Sequence, residues 1–210
     1  MDIFEAVDNR KTIRKFDSYI PTKDEIKRII NSARLAPSAM NTQNWKFIAI
    51  YNNEIKNKMA DEILKTYDRI IPNLDDETKA YVERYKAHST FFTKAPVIIV
   101  CVETEAKAFM NGVLEMAKFS EEEIKKMRPD SFLLSMGGAI ENMLLSAYAQ
   151  NLGSCWMVAP VLGVDGIKKV LNLDETDKIT SVIAIGKPAS DISDKRSNKK
   201  PLDEIMEIIE

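Results

Sequence analysis

The stretch from Asp130 to Asn151 restricts the possible folds of this chain more than any other. From Phe132 to Ala149 it reads as a helix that is apolar on nearly all sides, and a helix of that kind must be covered all round. Ser135, Glu141, Asn142 and Ser146 interrupt the run, which makes it too polar for a membrane span and suits a buried position. Small or polar residues recur at Ser135, Gly138, Asn142, Ser146 and Ala149. Spacings of three and four put them on one face, where another backbone can come close. The helix is therefore read as both a core helix and a subunit contact.

The rest of the chain must supply the cover. Residues 2–8 read as a short helix, and Thr22-x-x-Glu25 is a capping box that opens a second one, with an apolar stripe of Ile26, Ile29, Ile30 and Ala33. Pro37 ends it. Residues 54–92 look mostly helical, with a break at Ile70-Ile71-Pro72-Asn73. Four strands are expected: Lys46–Tyr51, Pro96–Val102, Ser154–Val158 and Ile179–Gly186. Long helical segments rather than hairpins separate them, so the class is α+β or α/β with a small mixed sheet. The last stretch, Lys187–Glu210, has too little apolar surface to fold on itself and is expected to lie across a partner subunit.

At 210 residues, 45% apolar and 30% charged, the chain suits one globular domain, 1–210. A net charge of −2 gives no general attraction to nucleic acid or to an anionic membrane, so cations that matter must act locally. Cys101 and Cys155 lie in apolar stretches and read as buried free thiols, not metal ligands. The single histidine, His88, sits in a polar stretch and reads as a surface residue; it leaves little material for a metal site or a Ser-His-Asp triad. Met1 to Arg14 is charged and contains no apolar signal core, from which a cytoplasmic location is expected.

Three constellations could carry chemistry. In Arg10-Lys11-Thr12-Ile13-Arg14, an extended backbone puts Arg10, Thr12 and Arg14 on one side. Two guanidiniums and a hydroxyl suit a phosphate, although a solvated basic turn has the same composition. In Ala36-Pro37-Ser38-Ala39-Met40-Asn41-Thr42-Gln43-Asn44-Trp45, the polar groups of Ser38, Asn41 and Gln43 both donate and accept hydrogen bonds. They can match the edge of a planar heterocycle, or simply form a polar loop. Pro160-Val161-Leu162-Gly163 is a turn whose amides could face a ligand.

Order and company decide among these readings. The chain resembles the nitroreductase family of flavin mononucleotide (FMN) enzymes. The matching pieces are Arg10-x-Thr12-x-Arg14-x-Phe16, Ala36-Pro37-Ser38-x-x-Asn41-x-Gln43-x-Trp45, the helix from Gly138 to Leu152 running into Gly153-Ser154-Cys155-Trp156, and Gly186-Lys187-Pro188 followed by Lys199-Lys200-Pro201-Leu202. The resemblance implies an α+β fold with a small mixed sheet surrounded by helices, in an intertwined homodimer with an exchanged C-terminal tail. It implies FMN at the dimer interface, and NAD(P)H as a transient electron donor in a ping-pong cycle ending on a small organic acceptor such as a nitroaromatic or a quinone.

Residue roles follow from the same resemblance. Arg10 and Thr12 would hold the phosphate or ribityl chain, and Arg14 the N1/O2 edge. Pro37, Ser38, Asn41 and Gln43 would come from the partner subunit. Pro160, Val161, Leu162 and Gly163 would lie along the central ring, and Lys199 would reach the phosphate from the tail. No catalytic side chain is implied, because the chemistry lies at flavin N5 and Arg14 tunes it.

Three departures stand out: Thr12 replaces the usual Ser, Asn44 stands where Pro often precedes the Trp, and Lys199 replaces an Arg. No GxGxxG follows a strand, so NAD(P)H would dock over the flavin. Residues 104–125 are expected to form a lid, and Phe109, Met110, Met116 and Phe119 either line it or, as is commoner at helical spacing, belong to the core. Other acceptors fit the same fold, as in an ene-reductase, a dehalogenase or a flavin-consuming enzyme. A non-catalytic FMN carrier or redox sensor is a further alternative.

Overall fold

The computed structural model describes residues 2–192 and 198–209. Eight helices occur among them: α1 (Ile3–Asn9), α2 (Lys23–Arg34), α3 (Asn53–Ile70), α4 (Asp76–Thr90), α5 (Phe109–Met116), α6 (Glu121–Met127), α7 (Ser131–Ala149) and α8 (Val164–Leu171). The strands are β1 (Trp45–Ile50), β2 (Val97–Glu103), β3 (Gly153–Met157) and β4 (Lys178–Gly186). They form one sheet in the order β1-β2-β4-β3. All three ladders are antiparallel, and the one parallel pairing is an isolated bridge between Thr12 and Ser154. The sheet is thus less mixed than the sequence suggested, because the arm after α1 makes only one parallel bridge to it.

The central strands explain the three layers. Every residue of β2 is buried, so its alternating side chains must be covered on both faces. Val97, Ile99 and Cys101 pack with α2 and α7, while Ile98, Val100 and Val102 pack with α3 and α8. Each isoleucine fully buried this way contributes about 1.5–3 kcal/mol. Burial pushes the Cys101 thiol up to about 12 and raises that of Cys155, as suits buried free thiols. Lys56 of α3 is also buried; its ammonium donates to the Ala95 carbonyl at 2.5 Å and pins the turn entering β2. Burial lowers its pKa.

Local signals set the helix ends. Thr22 and Glu25 form both bonds of the capping box, and the break expected at 70–73 is a 3-10 turn between α3 and α4. α7 is covered on one side only. Met136, Ala139, Ile140, Met143, Leu144 and Ala147 face the core, yet Leu133 and Leu134 are 51% and 65% exposed. Within one chain the sheet covers only one side of this helix. Of the small-residue stripe, Asn142 meets α2, donating to the Ser32 carbonyl at 3.2 Å. No helix among the described residues is long and apolar enough to cross a membrane.

Candidate functional site

The arm between α1 and α2 is the first element of the site. Its position is fixed by backbone bonds to the sheet: Ile13 donates to the Ser154 carbonyl at 2.9 Å, and Asp17 to the Lys187 carbonyl at 2.9 Å. Phe16 bridges Pro188, and Lys15 pairs with Asp191. Ile13 is buried against Gly153, where an added Cβ would fall 2.6 Å from the Ile13 side chain. Only glycine permits this approach, so Gly153 is what lets the arm lie on β3. With Ile13 turned inward, Thr12 and Arg14 are exposed.

Arg10 stands where α1 gives way to the arm. It is the C-cap of α1, its N–H still bonded to the Ala6 carbonyl while its ψ of 132° is already extended. Its Nε lies 3.2 Å from a carboxylate oxygen of Glu141 in α7. It therefore opens, with Lys11, Ile13, Tyr148 and Ser190, on a cleft of about 560 Å³. Arg14 opens on a different cleft of about 350 Å³, walled by Tyr85, His88, Phe91, Cys155 and Trp156. The Arg14 guanidinium beside Cys155 works against the upward push of burial on that thiol.

The aromatic wall was missed in the sequence. His88 is exposed, as expected, but it also faces the Arg14 cleft. Tyr81, Tyr85 and His88 follow one another along α4 at spacings of four and three. Their rings lie 6.4 Å and 6.1 Å apart. An aromatic run on a helix with little apolar stripe was the available signal.

The 3-10 turn Ala159–Gly163 borders the Arg14 cleft through Ala159. Pro160 and Gly163 are buried, Val161 packs on the core, and Leu162 is exposed. A Cβ on Gly163 would fall 2.8 Å from the Ile63 backbone nitrogen, so the glycine seats this turn on α3.

The amide loop before β1 has a different construction. Met40, Asn41 and Gln43 all have positive φ, at 54°, 55° and 50°. Such values cost an L residue about 1–2 kcal/mol each, and strain of this kind needs fixed surroundings. The Ser38 hydroxyl accepts from the Gln43 N–H at 3.1 Å and closes the loop. Ala39 N–H donates to the Ser135 hydroxyl at 3.0 Å. Pro37, Asn41 and Gln43 are exposed, and Ser38 is half-buried. Asn44, buried where Pro was expected, accepts from the Thr104 N–H at 2.9 Å. The loop is thereby joined to the start of the 104–125 segment.

That segment forms α5 and α6, and Phe109, Met110, Met116 and Phe119 are all at least 41% exposed. None of them is a core residue. In the tail, Lys199 is exposed, and so are Leu202, Ile205, Met206, Ile208 and Ile209. Among the described residues no group of three or more His, Cys, Asp or Glu could hold a metal ion.

A three-layer α+β domain with a cationic arm fixed to its edge strand and a strained polar loop entering the opposite edge defines the class. The model of the nitroreductase family matches residues 7–187, and the chain belongs to that family. It is similar over 100% of both chains to a BluB-like flavoprotein of Clostridium difficile 630, at 29% identity and a TM-score of 0.90. A nitroreductase of Bacteroides fragilis NCTC 9343, solved with FMN bound, superposes over 100% of both chains with a TM-score of 0.73. At 20% identity, that likeness speaks for the fold. An iodotyrosine deiodinase of Thermotoga neapolitana is 20% identical over 206 residues, 97% of this chain and 95% of its own.

Proposed function

We propose that this chain is an FMN-dependent oxidoreductase that works as a homodimer, with each cofactor held between the arm of one subunit and the loop 37–43 of its partner. The observation that carries this reading is the separation of Arg10 and Arg14 onto two clefts by one short arm. A ligand that uses both must be elongated, with an anion at one end and a flat, edge-polar ring at the other. FMN has that shape. The aromatic wall beside Arg14 suits the ring, and the terminal nitrogens of Arg10 suit the phosphate.

When bound, FMN supplies the redox chemistry: hydride from NAD(P)H in one half-reaction and electrons to a small organic acceptor, such as a nitroaromatic or a quinone, in the next. The chain's own residues bind and orient. Arg10 and Thr12 hold the phosphate end, with Lys199 following Ile192 of the same cleft by seven residues. Arg14 places a positive charge at the N1/O2 edge, which favours the reduced cofactor. Pro160 and Gly163 seat the turn that presents Val161 and Leu162 to the ring.

Ser38, Asn41 and Gln43 meet the partner's cofactor, and the 104–125 segment closes over it as a lid. The exposed apolar residues of the tail and of α7 suit a partner surface, in keeping with an intertwined dimer and an exchanged tail. A cytoplasmic location is consistent with all of this.

The likeness to an iodotyrosine deiodinase keeps same-fold dehalogenase chemistry, with ene-reductase chemistry beside it, as a second reading of the acceptor. The test is anaerobic. FMN-loaded protein should bleach on addition of NADH or NADPH, and the acceptor that restores the colour in stopped flow names the reaction. A yellow protein that neither nucleotide bleaches would contradict the enzyme reading and favour a carrier or sensor.

A further inference from the structure

We propose that Ser135 is a positioning residue for the cofactor site: it holds loop 38–43 in its left-handed shape, so that Ser38, Asn41 and Gln43 are presented preformed. This rests on the reading of that loop as part of an FMN site. The inference begins with an imbalance in the loop itself. Three of its residues adopt a conformation that other shapes of the loop would relieve, and none of the three is glycine. Its internal bonds are short-range, from Gln43 to Ser38 and from Thr42 to Ala39. They can close the loop but cannot fix it to the body of the protein.

Ser135 makes that connection from α7. Its hydroxyl donates to the Ser131 carbonyl at 2.6 Å, one turn back along the helix. That bond orients the oxygen and leaves a lone pair for the Ala39 N–H at 3.0 Å. The far end is held independently, where Thr104 donates to Asn44. Losing the Ser135 oxygen frees the near end alone. The fraction of chains with a competent loop then falls, and apparent affinity falls with it.

The experiment uses full-length protein stripped of flavin and titrated with FMN, read by quenching of FMN fluorescence. Ser135→Ala should weaken binding about fivefold, the effect expected of one neutral hydrogen bond, and Ser135→Thr should return within about twofold of the parent. Amide exchange at residues 38–43 should quicken in the Ala variant and not in the Thr variant. Should Ser135→Ala fail to fold, Ser135→Cys is the second variant: it is close in size but a poor acceptor, and it should weaken binding as the Ala variant would.

Parent-like affinity in the folded Ala or Cys variant overturns the proposal. So does a folded Thr variant as weak as either. If the parent protein itself takes up no FMN, the cofactor reading falls and this inference falls with it.

Discussion

The arm 10–17 and the loop 36–44 both bring polar groups to the candidate site, but they are held differently. Backbone pairing fixes the arm, with one buried isoleucine set against a glycine. The loop has positive φ at three residues, and two serine hydroxyls add to its backbone turns and to one backbone bond from Thr104. In the proposed site the arm, paired to its own sheet, serves its own subunit, and the strained loop meets the partner's cofactor. Each of the following substitutions tests one half of this contrast, taken from the largest expected effect to the smallest.

Arg10→Ala should abolish FMN retention, so that flavin elutes with the small molecules on gel filtration. Wild-type stoichiometry after this change would remove the arm from the phosphate site. Gly153→Ala should lift the arm off β3, because its new Cβ collides with Ile13. A loss of about 1–3 kcal/mol in denaturant unfolding is expected, together with weaker FMN binding. Unchanged stability would mean that the arm tolerates displacement. A Cβ on Gly138 would meet nothing within 4 Å inside the chain, so the fold should survive Gly138→Leu. Light scattering should then report monomer, and an intact dimer would show that this face of α7 is free. Met40→Gly removes one left-handed penalty and should stabilise the protein slightly, by up to about 1 kcal/mol net of the flexibility glycine adds to the unfolded chain. A fall in melting temperature would mean that the Met40 side chain is itself bound.

The layers of the fold were legible in the sequence because period and capping act locally. The Thr22–Glu25 box, the Val-Ile-Ile-Val run of β2 and the break at Pro72 each appear in the structure within a residue or two. Which side of α7 its own sheet covers was not legible, since an apolar helix looks the same whether the cover is that sheet or a second subunit. The split between Arg10 and Arg14 was hidden for another reason: alternation gives a side of the chain and not the elements that wall it, and Arg10 lies beside Glu141 of α7. The aromatic wall of α4 lay too far along the chain from Arg14 for spacing to connect them.

The central claim is that one FMN lies between the arm of one chain and the loop of the other, and a mixed dimer tests it directly. One chain carries Arg10→Ala, the other Ser38→Ala with Asn41→Ala, and each homodimer is first shown to bind no FMN. The purified heterodimer should hold one FMN per two chains, because one interface keeps an intact arm and an intact loop. A heterodimer that binds no FMN would contradict the account and place both elements in the same chain's site.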